Sequence, residues 1–146
     1  MTSKVTTIFS AVGLLLTLAM VSVSAQTPTS AQVNIPFDFT AGKANLKPGN
    51  YTITRVNGTA LKLRSTDGKK TVLINAPLTI GSRDFKAGER LVFNRYGSEY
   101  FLTQVWLTVD SGRQLLTTSA ETNAAREFAK RKSDGPQRVE IAIRGN

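Results

Sequence analysis

The chain has 146 residues, 40% of them hydrophobic, and a formal net charge of +9; this length and apolar fraction suit one domain with its own core and exclude global disorder. It has no Cys and no His, which excludes disulfides, Cys or His nucleophiles, the Ser-His-Asp triad, and zinc or haem held by these residues. We therefore predict a basic protein without a cofactor, stabilised by its core.

The first 25 residues have the pattern of a secretory signal peptide. Lys4 supplies positive charge, residues 8–20 form a largely apolar run, and Val23–Ala25 offers a small-residue cleavage site. An uncleaved membrane anchor is the alternative, but the small residues lie where a signal peptidase needs them. We predict three segments: a cleaved signal peptide at 1–25, a linker at 26–32 and an antiparallel β domain at 33–146. The mature protein is then periplasmic or extracellular.

The first half of the β domain has the pattern of short strands separated by turns. Apolar and polar residues alternate over Val33–Phe39, which predicts a half-buried strand with Pro36 at an edge or a bulge. Asn57-Gly58 predicts a hairpin turn of type I′, in which both residues have positive φ. The apolar stretch Thr71–Ile80 predicts a strand that is broken or bulged at Pro77.

Leu91–Leu107 predicts a central hairpin. Aromatic and β-branched residues favour strands, and a short turn is expected at Gly97-Ser98. The polar connection before the hairpin has Phe85 as its one apolar anchor. A strand that is apolar on both faces is usually covered on both faces, so we place the hairpin in the middle of the fold. Strict alternation divides the apolar residues of its second strand into two faces: Tyr100, Leu102 and Trp106 on one, and Phe101, Val105 and Leu107 on the other.

The end of the chain changes to helical periodicity. Thr118–Glu121 has the pattern of a capping box, and we predict a helix over about residues 119–132. Its apolar face is Ala120, Ala124, Ala125, Phe128 and Ala129. Alternation at Val139–Ile143 predicts a last strand. The pattern as a whole favours a mainly β fold, either a single antiparallel β-barrel or a β-sandwich of about eight strands, with one helix in the C-terminal region.

Two groups of residues are candidates for binding. The predicted helix carries four cations: Arg126, Lys130, Arg131 and Lys132. They suit attraction to an anionic envelope polymer or lipid surface, and equally a solvated helix end whose dipole favours cations. Arg95, Tyr96 and Tyr100 flank the hairpin turn and are expected to reach solvent as a candidate surface contact. We interpret Lys69-Lys70 as plain surface, and we expect no specific binding of nucleic acid.

Catalysis has no recognisable motif in this chain. The ten acidic residues are scattered singly, and no phosphate-binding or calcium-binding loop is present. We therefore expect no candidate catalytic or metal-binding residue and a protein that is not an enzyme.

Several segments together carry a resemblance. They are Val33–Phe39, Lys47–Tyr51, Leu91–Gly97, Tyr100–Leu102 and the late basic helix. In this order they resemble a family of small uncharacterised exported proteins of soil bacteria, over most of the mature chain. The resemblance implies an envelope or secreted location and a β-rich fold. Because the family has no established activity, no catalytic or binding residue is carried over.

These observations favour an exported, non-catalytic β module with a structural or interaction role. Two alternatives stay open: a carrier of a small apolar ligand inside a barrel, and a carboxylate-based hydrolase. A large cavity favours the carrier, and two carboxylates about 5–10 Å apart in a cleft favour the hydrolase. A filled interior with a basic outer face favours the interaction module.

Overall fold

The computed structural model describes residues 29–131 and 135–143. The predicted signal peptide and Lys132 of the predicted basic helix lie outside these ranges. The first strand begins at Ser30 and so includes residues 30–32 of the predicted linker. No helix in the described ranges has the length and apolar character needed to cross a membrane.

Eleven strands and one α-helix form in this part of the chain. The strands are β1 (Ser30–Ile35), β2 (Phe39–Ala41), β3 (Ala44–Leu46), β4 (Gly49–Arg55), β5 (Ala60–Ser65), β6 (Thr71–Asn75), β7 (Leu78–Gly81), β8 (Arg90–Tyr96), β9 (Glu99–Trp106), β10 (Ser111–Gln114) and β11 (Gln137–Ala142), and the helix α1 is Ser119–Arg131. A 3₁₀ turn lies at Phe85–Ala87.

The strands form two sheets, in the orders β1-β4-β5-β6 and β11-β8-β9-β10-β7. β2 pairs with β3 and makes a short parallel contact with β9. Neither sheet closes, so the molecule is sandwich-like rather than a barrel. The prediction of a mainly β fold with one helix in the C-terminal region is confirmed.

The chain passes from the first sheet to the second at two breaks that contain proline. β1 ends just before Pro36 and β2 begins at Phe39, while β6 ends before Ala76-Pro77 and β7 begins at Leu78. Proline has no N–H to give to a strand ladder. The predicted break at Pro77 is confirmed, and the strand predicted over Val33–Phe39 is divided at Pro36.

The space between the two sheets is filled by apolar side chains. The largest of those that are almost fully buried are Ile35, Ile53, Leu61, Leu63, Leu91, Phe93 and Val105. Phe39 makes edge-to-face contacts with Tyr51 and Phe93, at ring-centroid distances of 5.4 and 5.7 Å. Because full burial of each such side chain contributes roughly 1.5–3 kcal/mol, this layer holds the two sheets together.

A bulge in β9 changes the predicted faces of the central hairpin. Val92 pairs with Gln104 and Phe93 pairs with Leu102, so Thr103 is an extra residue in the ladder. The polar groups of Thr103 are satisfied. Its hydroxyl donates to the Val92 carbonyl at 3.1 Å, and its carbonyl accepts from the Leu115 N–H at 2.9 Å.

The bulge places Phe101 and Trp106 on the same face of β9. Leu102 and Val105 join the core between the sheets, whereas Phe101 lies on the outer face and Trp106 pairs with Arg90 on that outer face. The predicted assignment of Phe101 and Trp106 to opposite faces is wrong. One inserted residue reverses the alternation beyond it.

The helix covers the outer face of the hairpin. Tyr96 and Phe101 pack against Ala124, with Phe128 also in contact. The hairpin is therefore covered on both faces, as expected. The helical face itself is narrower than predicted, because Ala120 and Ala129 are exposed.

The connection before the hairpin has no apolar anchor at Phe85. This side chain is 63% exposed, so the prediction was wrong. Asp84 shapes the connection instead, because its carboxylate accepts from the Lys86 N–H at 3.0 Å and caps the 3₁₀ turn.

The loop at Asn57-Gly58 joins β4 to β5 by a different turn from the predicted one. Neither residue has positive φ. The Asn57 side-chain oxygen instead accepts from the N–H groups of Thr59 and Ala60, each at 2.8 Å. Because this side chain satisfies the loop amides, the hairpin forms without the left-handed backbone of a type I′ turn.

Candidate functional site

Turns from both sheets gather at one end of the sandwich, which we call the turn end. It consists of the sheet crossing at residues 36–38 and the turns at 47–48, 65–70 and 97–98. Two open clefts lie here, and both are lined by the segment Asn45–Lys47. We refer to the two adjoining clefts together as the groove.

The first cleft, of about 450 Å³, lies between residues 45–51 and the turn at 65–70. Lys47 stands on one wall, and Lys69 and Lys70 stand on the other. Tyr51 lines the cleft, and its hydroxyl donates to the Lys47 carbonyl at 2.6 Å. Burial, followed by the charges of Asp67 and Asp38, raises the pKa of Tyr51.

The wall at residues 65–70 is organised by hydrogen bonds within the turn. The Asp67 carboxylate accepts from the Ser65 hydroxyl at 2.6 Å and from the Lys69 N–H at 3.0 Å. These two bonds, the Ser65 one first, lower the pKa of Asp67. The Ser65 hydroxyl oxygen also accepts from the Lys70 N–H at 2.9 Å. The Asp67 carboxylate also lies 4.0 Å from the Lys69 ammonium group, so part of the cationic charge of this wall is already paired.

The second cleft, of about 320 Å³, lies between residues 38–40 and 98–100. Lys47 forms an ion pair with Asp38 across it, at 3.3 Å, with both side chains largely exposed. Tyr100 lines the cleft and stacks on Phe37, with ring centroids 3.9 Å apart. The second cleft therefore combines a weak surface ion pair with a rigid aromatic wall.

The structure brings together two of the three residues predicted beside the hairpin turn. The Arg95 guanidinium carbon lies 5.3 Å from the Tyr100 ring centroid, and its Nε donates to the Gly97 carbonyl at 2.7 Å. Both residues are partly exposed. Tyr96 does not reach solvent as expected, since it points to the opposite face and is only 9% exposed under α1.

The described cations of the predicted basic helix, Arg126, Lys130 and Arg131, are all exposed. Lys130 pairs with Glu127 at 2.7 Å, and this bond lowers the pKa of Glu127. The Phe128 ring centroid is 6.1 Å from that of Tyr96, which precedes the turn at 97–98. The second half of α1 therefore lies beside the turn end.

Glu121 carries a buried carboxylate that no pattern in the sequence predicts. The Thr118 hydroxyl caps the helix by accepting from the Glu121 N–H at 3.2 Å. The Glu121 side chain does not complete a capping box but accepts from the Asn94 amide at 3.0 Å and from the Tyr96 hydroxyl at 3.4 Å. It is 6% exposed. Burial and the Glu121 charge raise the pKa of Tyr96. These groups fix the helix to the sheet and face no cleft.

The side chains at the turn end are suited to binding a ligand. Three ammonium groups, several amides and hydroxyls, and exposed carboxylates line the groove. Within residues 29–131 and 135–143, no group of three or more carboxylates is close enough to hold a metal ion. Ammonium and amide groups on an open surface suit anionic or hydroxyl-rich ligands.

Comparison of the chain with protein-family models, with curated proteins and with solved structures gives no match. The functional argument therefore rests on the residues and their geometry.

Proposed function

We propose that the protein is an exported, non-catalytic interaction module that binds an anionic polymer or lipid surface of the bacterial envelope. The observation that carries the proposal is a filled sandwich with a firmly docked helix whose cations point outward. The export segment and the resemblance to small exported proteins of soil bacteria support the location, periplasmic or extracellular.

The packing of the interior favours an interaction module over a carrier. Side chains from both sheets occupy the space in which a carrier would hold an apolar ligand. The two clefts are open to solvent, whereas small-molecule sites enclose most of their ligand.

The way in which α1 is docked keeps its cations available. Ala124 and Phe128 face the sheet, so Arg126, Lys130 and Arg131 face solvent. Glu127 offsets only part of their charge. In a chain with a formal charge of +9, such a face attracts anionic surfaces through the summed field, over about 8 Å at physiological ionic strength.

The test replaces Arg126, Lys130 and Arg131 with Gln and measures retention on immobilised acidic polysaccharide and on anionic vesicles over a salt series. We expect the variant to elute at lower salt than the wild type, because it forms fewer charge pairs with the anionic ligand and less salt is needed to screen them. A matched control replaces the exposed cations Lys43, Arg83 and Lys86, which belong to the connections between β2 and β3 and between β7 and β8. Equal elution of the two variants would show that the helix is not a contact surface.

A further inference from the structure

We propose that the groove at the turn end is the binding site for a linear acidic polysaccharide, with Lys47, Lys69 and Lys70 as its contact cations. This inference rests on the proposed function and specifies both the ligand class and its site. Of these three residues, Lys69 and Lys70 are the ones that the sequence pattern indicates as plain surface.

The shape of the groove suits a linear polymer. Its two clefts adjoin along Asn45–Lys47 and both are open to solvent. Because both clefts are open to solvent, a chain that continues beyond the site can lie across them. The site is formed by turns of both sheets, which the filled core holds in place.

The charges suit acidic groups on that polymer. The three lysines come from two separate segments that face each other across the first cleft. Asp67 is held within its own turn by Ser65 and Lys69. In the described part of the chain, Lys70 has no ion-pair partner. Its ammonium group is therefore free to bind a carboxylate or sulfate.

The amide side chains suit the hydroxyl groups of sugars. The Asn45 side-chain oxygen accepts from the Thr40 hydroxyl at 2.9 Å, and the Asn50 oxygen accepts from the Asn34 amide at 2.9 Å. In the described part of the chain, the side-chain nitrogens of Asn45 and Asn50 donate to no protein group, so both can donate to a ligand in the first cleft. Fixed donors beside cations favour an acidic sugar polymer over a membrane surface, which cannot enter a groove between turns.

The position of the helix gives the polymer a second contact. The second half of α1 lies beside the turn at 97–98, which borders the second cleft. A chain that leaves this cleft passes close to the cations of α1. When one contact is made, the polymer is held at a high effective concentration near the other contact. Loss of both the groove lysines and the α1 cations should therefore weaken binding more than loss of either group.

Asp38 supplies a test that depends on the groove itself. Its carboxylate holds Lys47 at 3.3 Å and therefore competes with an acidic ligand for the same ammonium group. Asp38→Asn should strengthen binding by about two- to fivefold, the range of one exposed ion pair. Asp110→Asn makes the same charge change in the loop after β9, at the opposite end of the second sheet, and is the matched control.

The experiment measures the affinity of the full-length mature protein for polygalacturonate by titration at several salt concentrations, with neutral dextran for comparison. Replacing Lys47, Lys69 and Lys70 with Gln should weaken binding about tenfold at low salt and reduce the salt dependence. The control triple at Lys43, Arg83 and Lys86 should change it by less than about twofold. Circular dichroism confirms that each variant is folded.

The outcomes separate this inference from the proposed function. If the groove and control triples weaken binding equally, or if Asp38→Asn behaves as Asp110→Asn does, the groove is not the site, while the interaction function stands. If the wild type binds anionic vesicles but not polygalacturonate, the ligand class is wrong. If it binds neither at low salt, the proposed function fails as well.

Discussion

At the scale of single residues, Gly112 is the position where a side chain is least tolerated. It pairs with Trp106 on the outer face of the second sheet, and a Cβ added there would lie 2.5 Å from an indole carbon. Trp106 is also covered by Arg90, whose guanidinium carbon is 4.4 Å from the ring centroid. The absence of a side chain thus lets the only Trp lie flat and buried.

Gly112→Ala is therefore expected to lower the free energy of unfolding by roughly 1–3 kcal/mol through overpacking. Gly112 does not have positive φ, so backbone strain does not contribute. Denaturant unfolding followed by Trp106 fluorescence measures the change. Gly58→Ala is the control, since nothing lies within 4 Å of its added Cβ, and it should stay within about 0.5 kcal/mol. Equal effects at both glycines would contradict the contact with Trp106.

The raised pKa of Tyr96 predicts that the protein loses stability at alkaline pH. Burial and the Glu121 charge raise its pKa above 10.0 in the folded state. The folded protein therefore keeps this proton to a higher pH than the unfolded chain does. The resulting stabilisation is complete below about pH 10 and is lost as the pH rises through the folded pKa.

We expect Tyr96→Phe to flatten the fall in unfolding free energy above about pH 10. The measurement is a series of denaturant unfolding curves for both proteins between about pH 8 and pH 11. Parallel pH dependences would mean that Tyr96 is not protected in the folded state.

At the scale of elements, α1 is stabilised more by one aromatic contact with the sheet than by the helical propensity of its own residues. A helix of 13 residues is marginal in isolation. The Phe101 side chain, on β9, packs against α1. The ring centroids of Tyr96 and Phe101 are 5.9 Å apart in an edge-to-face arrangement. Glu121 adds hydrogen bonds to the sheet but buries a charge, which limits its net contribution.

Phe101→Ala should cost about 3–5 kcal/mol, the range of a large cavity in a core. It should also increase hydrogen exchange in α1 more than in the first sheet, because the contact lies under the helix. Phe85→Ala is the matched control on an exposed side chain, and we expect a change within about 0.5 kcal/mol. A denaturant midpoint for Phe101→Ala close to that of Phe85→Ala would contradict the packing of Phe101.

At the scale of the whole molecule, one core joins both sheets. Side chains of β1, β4, β5 and β6 interdigitate with those of β8, β9 and β11, and a smaller cluster under α1 covers the outer face of the second sheet. The chain also crosses between the sheets three times, after β1, β3 and β6. We therefore expect the β domain to unfold in a single cooperative transition.

The predicted export of the protein is also tested on the whole chain. If the signal peptide is cleaved after Ala25, the exported protein begins at Gln26 and loses only Lys4 from its charged residues. Intact mass of the protein recovered from the periplasm or the medium measures this. Recovery of the chain with its N-terminal segment in the membrane fraction would show an uncleaved anchor instead.

Local patterns in the sequence were enough to predict most elements of the fold. Period-two alternation predicted strands, Pro77 predicted a break in the strand around it, and the change to helical period predicted the start of α1 at Ser119. These features depend on neighbours along the chain, because side-chain direction and φ limits act over a few residues.

The tertiary structure decided features that depend on partners far away in the chain. The bulge at Thr103 exists only in the register against β8, and it moves Trp106 to the face of Phe101. Glu121 is buried because Asn94 lies opposite it.

The groove arises in the same way, since it brings Lys47 next to a turn that lies about twenty residues further along the chain. A strand's register and a cleft's walls are set by the packing of separate segments, and no local period in the sequence encodes that packing.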